Sequence, residues 1–351
     1  MKKIFSLAML IIGTIIGAGF ASGKEISAFF GKNISIVVAP LVGIGTFLLC
    51  YLFCTIGRIF KQTDFGAVNA KLLGKLRFVA DIFLLLNSLI VLSGMLSGMD
   101  SLLNPIFPIS PAYSIISGIL CALIVSNGIK GLLKSNCVIV PFIIFFIVLI
   151  CCFNISATIN LKFDPFTLPS VIVYVSMNVM LACTVLTTIN EKPKTVFWAS
   201  LIAAIAITII MLFIILTLNS QNTNSDMPLI TAALSTNKFL YYAAVAVVAT
   251  SIFTTMLTAF SGLSSWLTPI LGKKLAIIVS LIAGLIVSNL GFENVVAYLY
   301  PIIGIFGITY ILLCVFFLTK GSTTLKKLFD KRNRKVHNSS QKTQYHGGRH
   351  H

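Results

Sequence analysis

The chain has 351 residues, of which 57% are hydrophobic and only 10% are charged, and its formal net charge at pH 7 is +17. A mean hydropathy of +1.00 excludes an ordinary soluble domain and predicts an integral membrane protein. A large positive charge is also typical of nucleic-acid-binding proteins, so the placement of the basic residues decides its meaning.

Apolar runs alternate with short polar loops along most of the chain. A helix needs about 20 residues to cross the hydrocarbon core of a bilayer, and these runs are long enough. We predict an all-α fold with ten transmembrane helices, at residues 4–31, 35–57, 78–103, 112–128, 135–153, 169–190, 195–218, 240–268, 274–290 and 294–318.

The basic residues are distributed unequally about these predicted helices. Of the 26 lysines and arginines, only Lys24, Lys32, Lys162 and Lys238 fall outside the termini and loops of one side. Because cytoplasmic loops are enriched in Lys and Arg, both termini are predicted to be cytoplasmic, with the protein in the cell membrane. The charge then attracts anionic lipid headgroups, and no nucleic-acid partner is expected.

Cysteine and histidine suggest no further chemistry within the membrane. The eight cysteines lie in predicted helices, where cysteine behaves as a small hydrophobe, and the four histidines lie in the polar C-terminal region. We therefore expect no disulfide framework, no His-based metal site or proton relay in the membrane, and no organic cofactor.

The first predicted helix contains four glycines close together: Gly13, Gly17, Gly19 and Gly23. Each weakens a helix interior by about 1 kcal/mol relative to Ala, so we predict a break between Gly17 and Gly23. Broken helices of this kind form the binding sites of inverted-repeat transporters. A secretory signal peptide is the alternative, but the apolar residues continue through Phe30, which favours a retained helix.

Two acids and one amide mark the third predicted helix. Asp81 and Asp100 lie near its ends and are predicted at the two membrane interfaces. Asn87 lies deeper, where it could line a cavity or hydrogen-bond to a neighbouring helix, and packing is the more common reason for such a residue.

An inverted repeat of five plus five helices is predicted, because an odd number of helices per half reverses the second copy. The halves are residues 1–153 and 169–318, and residues 319–351 are predicted to be a basic, disordered cytoplasmic tail.

The sixth helix would be the counterpart of the first but has no glycine cluster. A break is predicted there only from the polar side chains of Tyr174, Ser176 and Asn178. A regular helix in which these groups serve packing is the alternative.

Hydroxyl side chains share one face of the eighth predicted helix. Ser251, Thr254 and Thr255 stand at i, i+3 and i+4. Hydroxyl oxygens suit a hard cation such as Na⁺, but they also bond to helix carbonyls, and spacing alone favours packing.

The segment Gly13–Glu25 resembles the start of the YkvI-type family of bacterial membrane proteins. That family belongs to the amino-acid/polyamine/organocation superfamily, whose members have the leucine-transporter fold with broken helices 1 and 6. The resemblance implies a secondary active transporter of a small zwitterionic or carboxylate, amino-acid-like solute, with Na⁺ as the coupling ion.

The resemblance also implies roles for individual residues. Backbone carbonyls of the first broken helix and hydroxyls of the eighth would hold Na⁺, which corresponds here to Gly13, Ile16, Ser251, Thr254 and Thr255. The solute would contact the break and the helices facing it, at Gly17, Ala18, Gly19, Phe20, Asn87, Tyr174, Ser176 and Asn178.

Charged residues beyond the motif have two interpretations. Lys24 could form an outer gate with Glu25 or Glu293, or could simply lie in an outer vestibule. Proton coupling in place of Na⁺ would need Glu25 or an interfacial aspartate.

A membrane ligand sensor is the alternative to a transporter, because related folds serve as nutrient receptors and the basic tail could contact a partner. An enzyme is not expected, since His, Cys and acidic residues are scattered. The sequence leaves the solute and the oligomeric state open.

Overall fold

The computed structural model describes residues 1–106, 108–155, 159–162, 164–220, 227–290 and 302–319. Its regular elements are helices, with no strand among the described residues. They are α1 (Lys2–Ile15), α2 (Ala18–Ser22), α3 (Lys24–Phe30), α4 (Val38–Phe60), α5 (Phe65–Leu72), α6 (Arg77–Leu103), α7 (Ala112–Val125), α8 (Ile129–Asn154), α9 (Leu168–Leu186), α10 (Pro193–Ser220), α11 (Pro228–Thr236), α12 (Lys238–Leu271), α13 (Lys273–Val287) and α14 (Ile302–Thr319).

Seven described helices are long and apolar enough to cross a membrane: α4, α6, α8, α9, α10, α12 and α14. The predicted all-α, multi-pass membrane protein is therefore confirmed. Helices α7 and α13 are apolar but shorter, and α1 to α3 form one interrupted segment. Ten spans in a five-plus-five repeat stay a prediction.

The first apolar segment is interrupted twice, as its glycines predict. Helix α1 ends at Ile15, and Ile16 (ψ 83°) and Gly17 (ψ −176°) leave the helical conformation. Gly23 then adopts φ 79°, a left-handed conformation that glycine reaches without a Cβ penalty. The short helix α2 is consequently isolated between two breaks.

The predicted break in the sixth span is wrong. Helix α9 is continuous from Leu168 to Leu186 and passes through all three polar residues without interruption. Asn178 Nδ2 donates to the carbonyl oxygen of Tyr174 at 3.0 Å, so the helix satisfies this side chain itself. With no glycine, and proline only in its first turn, nothing in α9 opposes helical geometry.

Polar contacts between residues distant in sequence mark the two ends of the bundle. At one end, Lys3 forms an ion pair with Glu191 at 2.9 Å, and we call this end the basic face. At the other, Asn219 exchanges two hydrogen bonds of 2.8 Å with the backbone of Ile34, and we call this end the opposite face. Helix α12 lies between them in the centre, in contact with α1, α2, α6, α8 and α9.

Candidate functional site

A small buried cavity lies where the interrupted first segment meets α6, α9, α12 and α14. Its volume is ≈ 30 Å³, and a cavity needs roughly 10–15 Å³ to hold a water molecule. A larger solute therefore requires the lining side chains to move apart. We call it the central cavity; its described lining consists of Thr14, Ile15, Gly17, Glu25, Asn87, Val91, Met177, Asn178, Leu181, Thr255 and Ile303.

Glu25 provides the only formal charge among these described lining residues. The turn at Gly23 returns its side chain over Gly19, so closely that a Cβ on Gly19 would overlap Glu25 Oε1 and Cγ. The residue is 3% exposed, and its Oε2 atom has no hydrogen-bond partner. Glu25 thus lies inside the cavity, which differs from the outer-gate position considered from the sequence.

Two asparagines present amide groups to the cavity from facing helices. Asn87 of α6 is 2% exposed, and its Nδ2 atom has no partner. Asn178 of α9 uses its Nδ2 atom on the Tyr174 carbonyl. The structure places Asn87 in the lining of the cavity, which is one of the two interpretations that the sequence left open.

The hydroxyl face of α12 lies against the first break. A Cβ at Gly17 would be 3.0 Å from Thr255 Oγ1, and this hydroxyl has no hydrogen-bond partner. Ser251 Oγ is also buried without a partner, whereas Thr254 Oγ1 donates to the Ser251 carbonyl at 3.0 Å. Unpartnered oxygens beside free backbone carbonyls are the donor set that a hard cation requires.

A further amide near this face was not anticipated from the sequence. Asn136 of α8 is fully buried and lies against Gly13, where an added Cβ would meet its Oδ1 atom. Its Nδ2 atom donates to the Leu132 carbonyl at 2.9 Å, while Oδ1 has no partner. A lone asparagine inside an apolar span was the available signal.

Three aromatic rings pack together one turn of α9 from the central cavity, since Tyr174 precedes the lining residue Asn178 by four positions. The centroids of Phe29 and Phe30 lie 5.3 and 5.4 Å from that of Tyr174, in edge-to-face arrangements. Tyr174 is 1% exposed. We call these three residues the aromatic cluster.

A larger cavity of ≈ 480 Å³ opens at the basic face. It begins one turn of α9 beyond the central cavity, since Leu181 lines the first and Val185 the second. Hydroxyl groups from α12, from the end of α9 and from the residues just after α9 contribute to its polar lining: Thr184, Thr188, Ser261, Ser264, Ser265 and Thr268. We call it the basic-face cavity.

The predicted solute contacts divide into two groups. Gly17, Asn87 and Asn178 line the central cavity together with Thr255 of the predicted cation site. The other five predicted contacts are buried but do not belong to the described lining of the cavity. Tyr174 lies in the aromatic cluster, and Ser176 lies against Gly307. The other three are Ala18, Gly19 and Phe20. Glu293 lies outside the described residues.

Several lining residues gave no signal in the sequence. Thr14 hydrogen-bonds to the Ile11 carbonyl at 2.8 Å, as a packing residue would. The others are ordinary apolar side chains, and only the fold brings them to the cavity: Val91, Met177, Leu181 and Ile303.

Two relatives from Bacillus subtilis (strain 168) align along most of the chain. The uncharacterized protein YyaD is 26% identical over 325 residues, and the uncharacterized membrane protein YkvI is 28% identical over 333 residues. Each alignment covers 88% of this chain and 94% of the relative. No protein-family model matches the chain.

Solved structures resemble the fold at low sequence identity. A Na⁺-coupled sialic acid symporter superposes with a TM-score of 0.66 at 13% identity, covering 86% of this chain and 75% of that one. Mhp1, a nucleobase-cation-symport-1 family transporter, gives 0.62 at 15% identity, with 86% and 74% covered. MhsT, solved with L-phenylalanine, gives 0.62 at 17% identity, with 81% and 78% covered.

These superpositions establish the fold, which the chain shares with the sialic acid symporter and with Mhp1. Together with the two relatives they confirm the resemblance first indicated by the Gly13–Glu25 segment. The chain therefore has the leucine-transporter fold and is similar along most of its length to YkvI and YyaD.

Proposed function

We propose that the protein is a secondary active transporter that moves a small zwitterionic or carboxylate solute together with Na⁺ by alternating access. The observation that carries this proposal is the interrupted α1–α3 segment, whose break borders a buried cavity with unpartnered polar atoms. Irregular backbone at membrane depth is stable where it lines such a cavity, and transporters bind solutes there. The symporters with this fold support the same function.

The coupling-ion site in this proposal lies between the end of α1 and α12. The ion is surrounded by the backbone carbonyls of Gly13 and Ile16 and by the side chains of Thr254 and Thr255, with Ser251 one turn earlier. The unpartnered Thr255 hydroxyl beside Gly17 supports this assignment, because a buried polar group without a partner is costly unless a ligand satisfies it. Protons are the alternative coupling ion.

The solute in this proposal occupies the central cavity. The N–H groups of Ala18 and Gly19, in the first turn of helix α2, attract an anionic group of the solute, while the Gly17 N–H donates to the Ile15 carbonyl at 2.9 Å. Asn87 and Asn178 contribute amide groups from the facing helices.

The different surroundings on the two sides of the central cavity support an alternating-access mechanism. With both termini cytoplasmic, as the distribution of basic residues predicts, the basic-face cavity opens to the cytoplasm. The aromatic cluster then separates the central cavity from the outside. Residues 1–153 and 169–318 act as two inverted repeats that rock against each other, with Lys24 near the outer entrance.

Uptake into proteoliposomes tests this function. Purified protein is reconstituted and uptake of radiolabelled amino acids is measured with and without an inward Na⁺ gradient. We expect uptake to require the gradient. Thr255→Val should weaken the apparent Na⁺ affinity about tenfold or more, since a hydrogen-bond-like contact to a charged group contributes about 1.5–3 kcal/mol.

Thr250→Val is the matched control, because Thr250 lies on the same helix but donates to the Ala246 carbonyl at 2.8 Å, away from the break. Uptake that ignores both Na⁺ and proton gradients would contradict the proposal. Ligand binding without any flux would favour the sensor.

A further inference from the structure

The central cavity contains the carboxyl group of Glu25, and no described group forms a hydrogen bond with its Oε2 atom. Resting on the function proposed above, we propose that Glu25 binds a primary ammonium group of the solute, while the Asn87 amide binds an acceptor oxygen of the same molecule. This selects amine-bearing solutes and excludes simple carboxylates, a choice that the proposed function leaves open.

The position of Glu25 gives it no structural role among the described residues. It forms no ion pair there, and its Oε2 atom has no hydrogen-bond partner although the residue is 97% removed from solvent. An isolated carboxylate in a low-dielectric interior is costly, and ionisable residues inside membranes mark functional sites. A positively charged ligand group offsets that cost directly.

Three unpartnered atoms line the same cavity, and each lacks a different kind of partner. Glu25 Oε2 lacks a donor, Asn87 Nδ2 lacks an acceptor, and Thr255 Oγ1 can take either. A molecule with an ammonium group at one end and a carboxylate or carbonyl oxygen at the other satisfies both Glu25 and Asn87. A carboxylate alone offers no donor to Glu25 Oε2.

The rest of the described lining argues for an organic cation rather than a second bare metal ion. Apolar side chains complete the cavity beside Glu25, which suits the carbon body of a solute: Ile15, Val91, Met177, Leu181 and Ile303. A second bare cation would need a further set of several oxygen ligands, whereas an ammonium group donates only three hydrogen bonds.

Matched pairs of solutes test the proposal by thermal stability of the full-length protein in detergent, at fixed Na⁺. The panel contains the protein amino acids and simple primary amines, with propionate, isocaproate and hydrocinnamate as the deaminated partners of alanine, leucine and phenylalanine. We expect only amine-bearing compounds to raise the melting temperature. Glu25→Gln should weaken their binding at least about tenfold.

Glu191→Gln is the control, because it removes the same charge at the basic face, where Glu191 pairs with Lys3. Equal stabilisation by amino acids and by their deaminated partners would overturn the proposal. This comparison needs only the unmodified protein, so the proposal stays testable even if Glu25→Gln fails to fold. Unchanged amine binding by folded Glu25→Gln, or no stabilisation by any amine, would also overturn it.

Measurements of solute uptake distinguish this proposal from the transport function on which it rests. If amines bind in a manner that depends on Glu25 but are not taken up, amine recognition is supported and the transport function is contradicted. Na⁺-driven uptake of deaminated carboxylates, equally fast in Glu25→Gln, supports the transporter and removes amine recognition.

Discussion

Two buried polar clusters in this protein differ in whether their atoms are paired. In the first, which we call the Asn69 network, Asn69 Nδ2 donates to Asp81 Oδ1 at 2.7 Å and Tyr310 OH donates to Asn69 Oδ1 at 2.9 Å. In the central cavity, Glu25, Asn87 and Thr255 each keep a polar atom without a partner. Paired groups hold helices together, whereas unpaired groups are available to a ligand.

The Asn69 network joins three elements at one end of the bundle. Asn69 belongs to the short helix α5, Asp81 to α6 and Tyr310 to α14, and all three are buried. Asp64 caps α5 by accepting from the Ala67 N–H at 2.7 Å. The network therefore fixes a loop helix to the scaffold and is expected to contribute stability rather than binding.

The largest effect is expected from breaking the paired cluster. Asn69→Ala removes one hydrogen-bond partner from each of the buried Asp81 and Tyr310 side chains, and it should lower the free energy of unfolding by about 2–5 kcal/mol. The apparent melting temperature in detergent measures the loss. Asn127→Ala is the control, because Asn127 is exposed and hydrogen-bonds only within its own turn. Similar stability in both variants would contradict a structural role for the network.

A smaller effect is expected from crowding the open cluster. Gly19→Ala puts a methyl group where Glu25 lies, and overpacking of this kind costs about 1–3 kcal/mol. Adding Glu25→Ala to Gly19→Ala removes the overlapping atoms and should restore most of the stability. If the double variant is no more stable than Gly19→Ala alone, the carboxyl group does not fold back over Gly19.

The smallest effect on stability is expected at the hydroxyl that already lacks a partner. Thr255→Val removes no hydrogen bond between described groups, so the free energy of unfolding should change by less than about 1 kcal/mol. The same melting assay, run without added Na⁺, provides the comparison with Asn69→Ala. A loss as large as that of Asn69→Ala would remove the distinction between the two clusters.

Local sequence predicted the first break but not the course of the sixth span. The glycines disfavour helix wherever they occur, so the break at Ile16 and Gly17 follows from residues next to one another. Tyr174 and Asn178 suggested a second break, yet a polar side chain in a helix can bond to the carbonyl one turn earlier, as Asn178 does. Residue type alone does not distinguish these outcomes.

The acidic residues show the same limit. Asp81 was predicted near a membrane interface, and it lies near the start of α6, but the sequence did not show that Asn69, from a different helix, donates to it at 2.7 Å. Glu25 was considered for an outer gate, but the left-handed turn at Gly23 directs it back to Gly19. In each case the position of the carboxyl group depends on an element that the helical spacing does not reveal.

The sequence by itself determined that this is a multi-pass helical membrane protein whose first span is broken near Gly17, because hydropathy and glycine content act locally along the chain. Only the tertiary structure decided which polar groups are paired and which face the central cavity. Pairing depends on side chains far apart in sequence, such as Asn87 and Thr255, which meet Glu25 only after the helices pack.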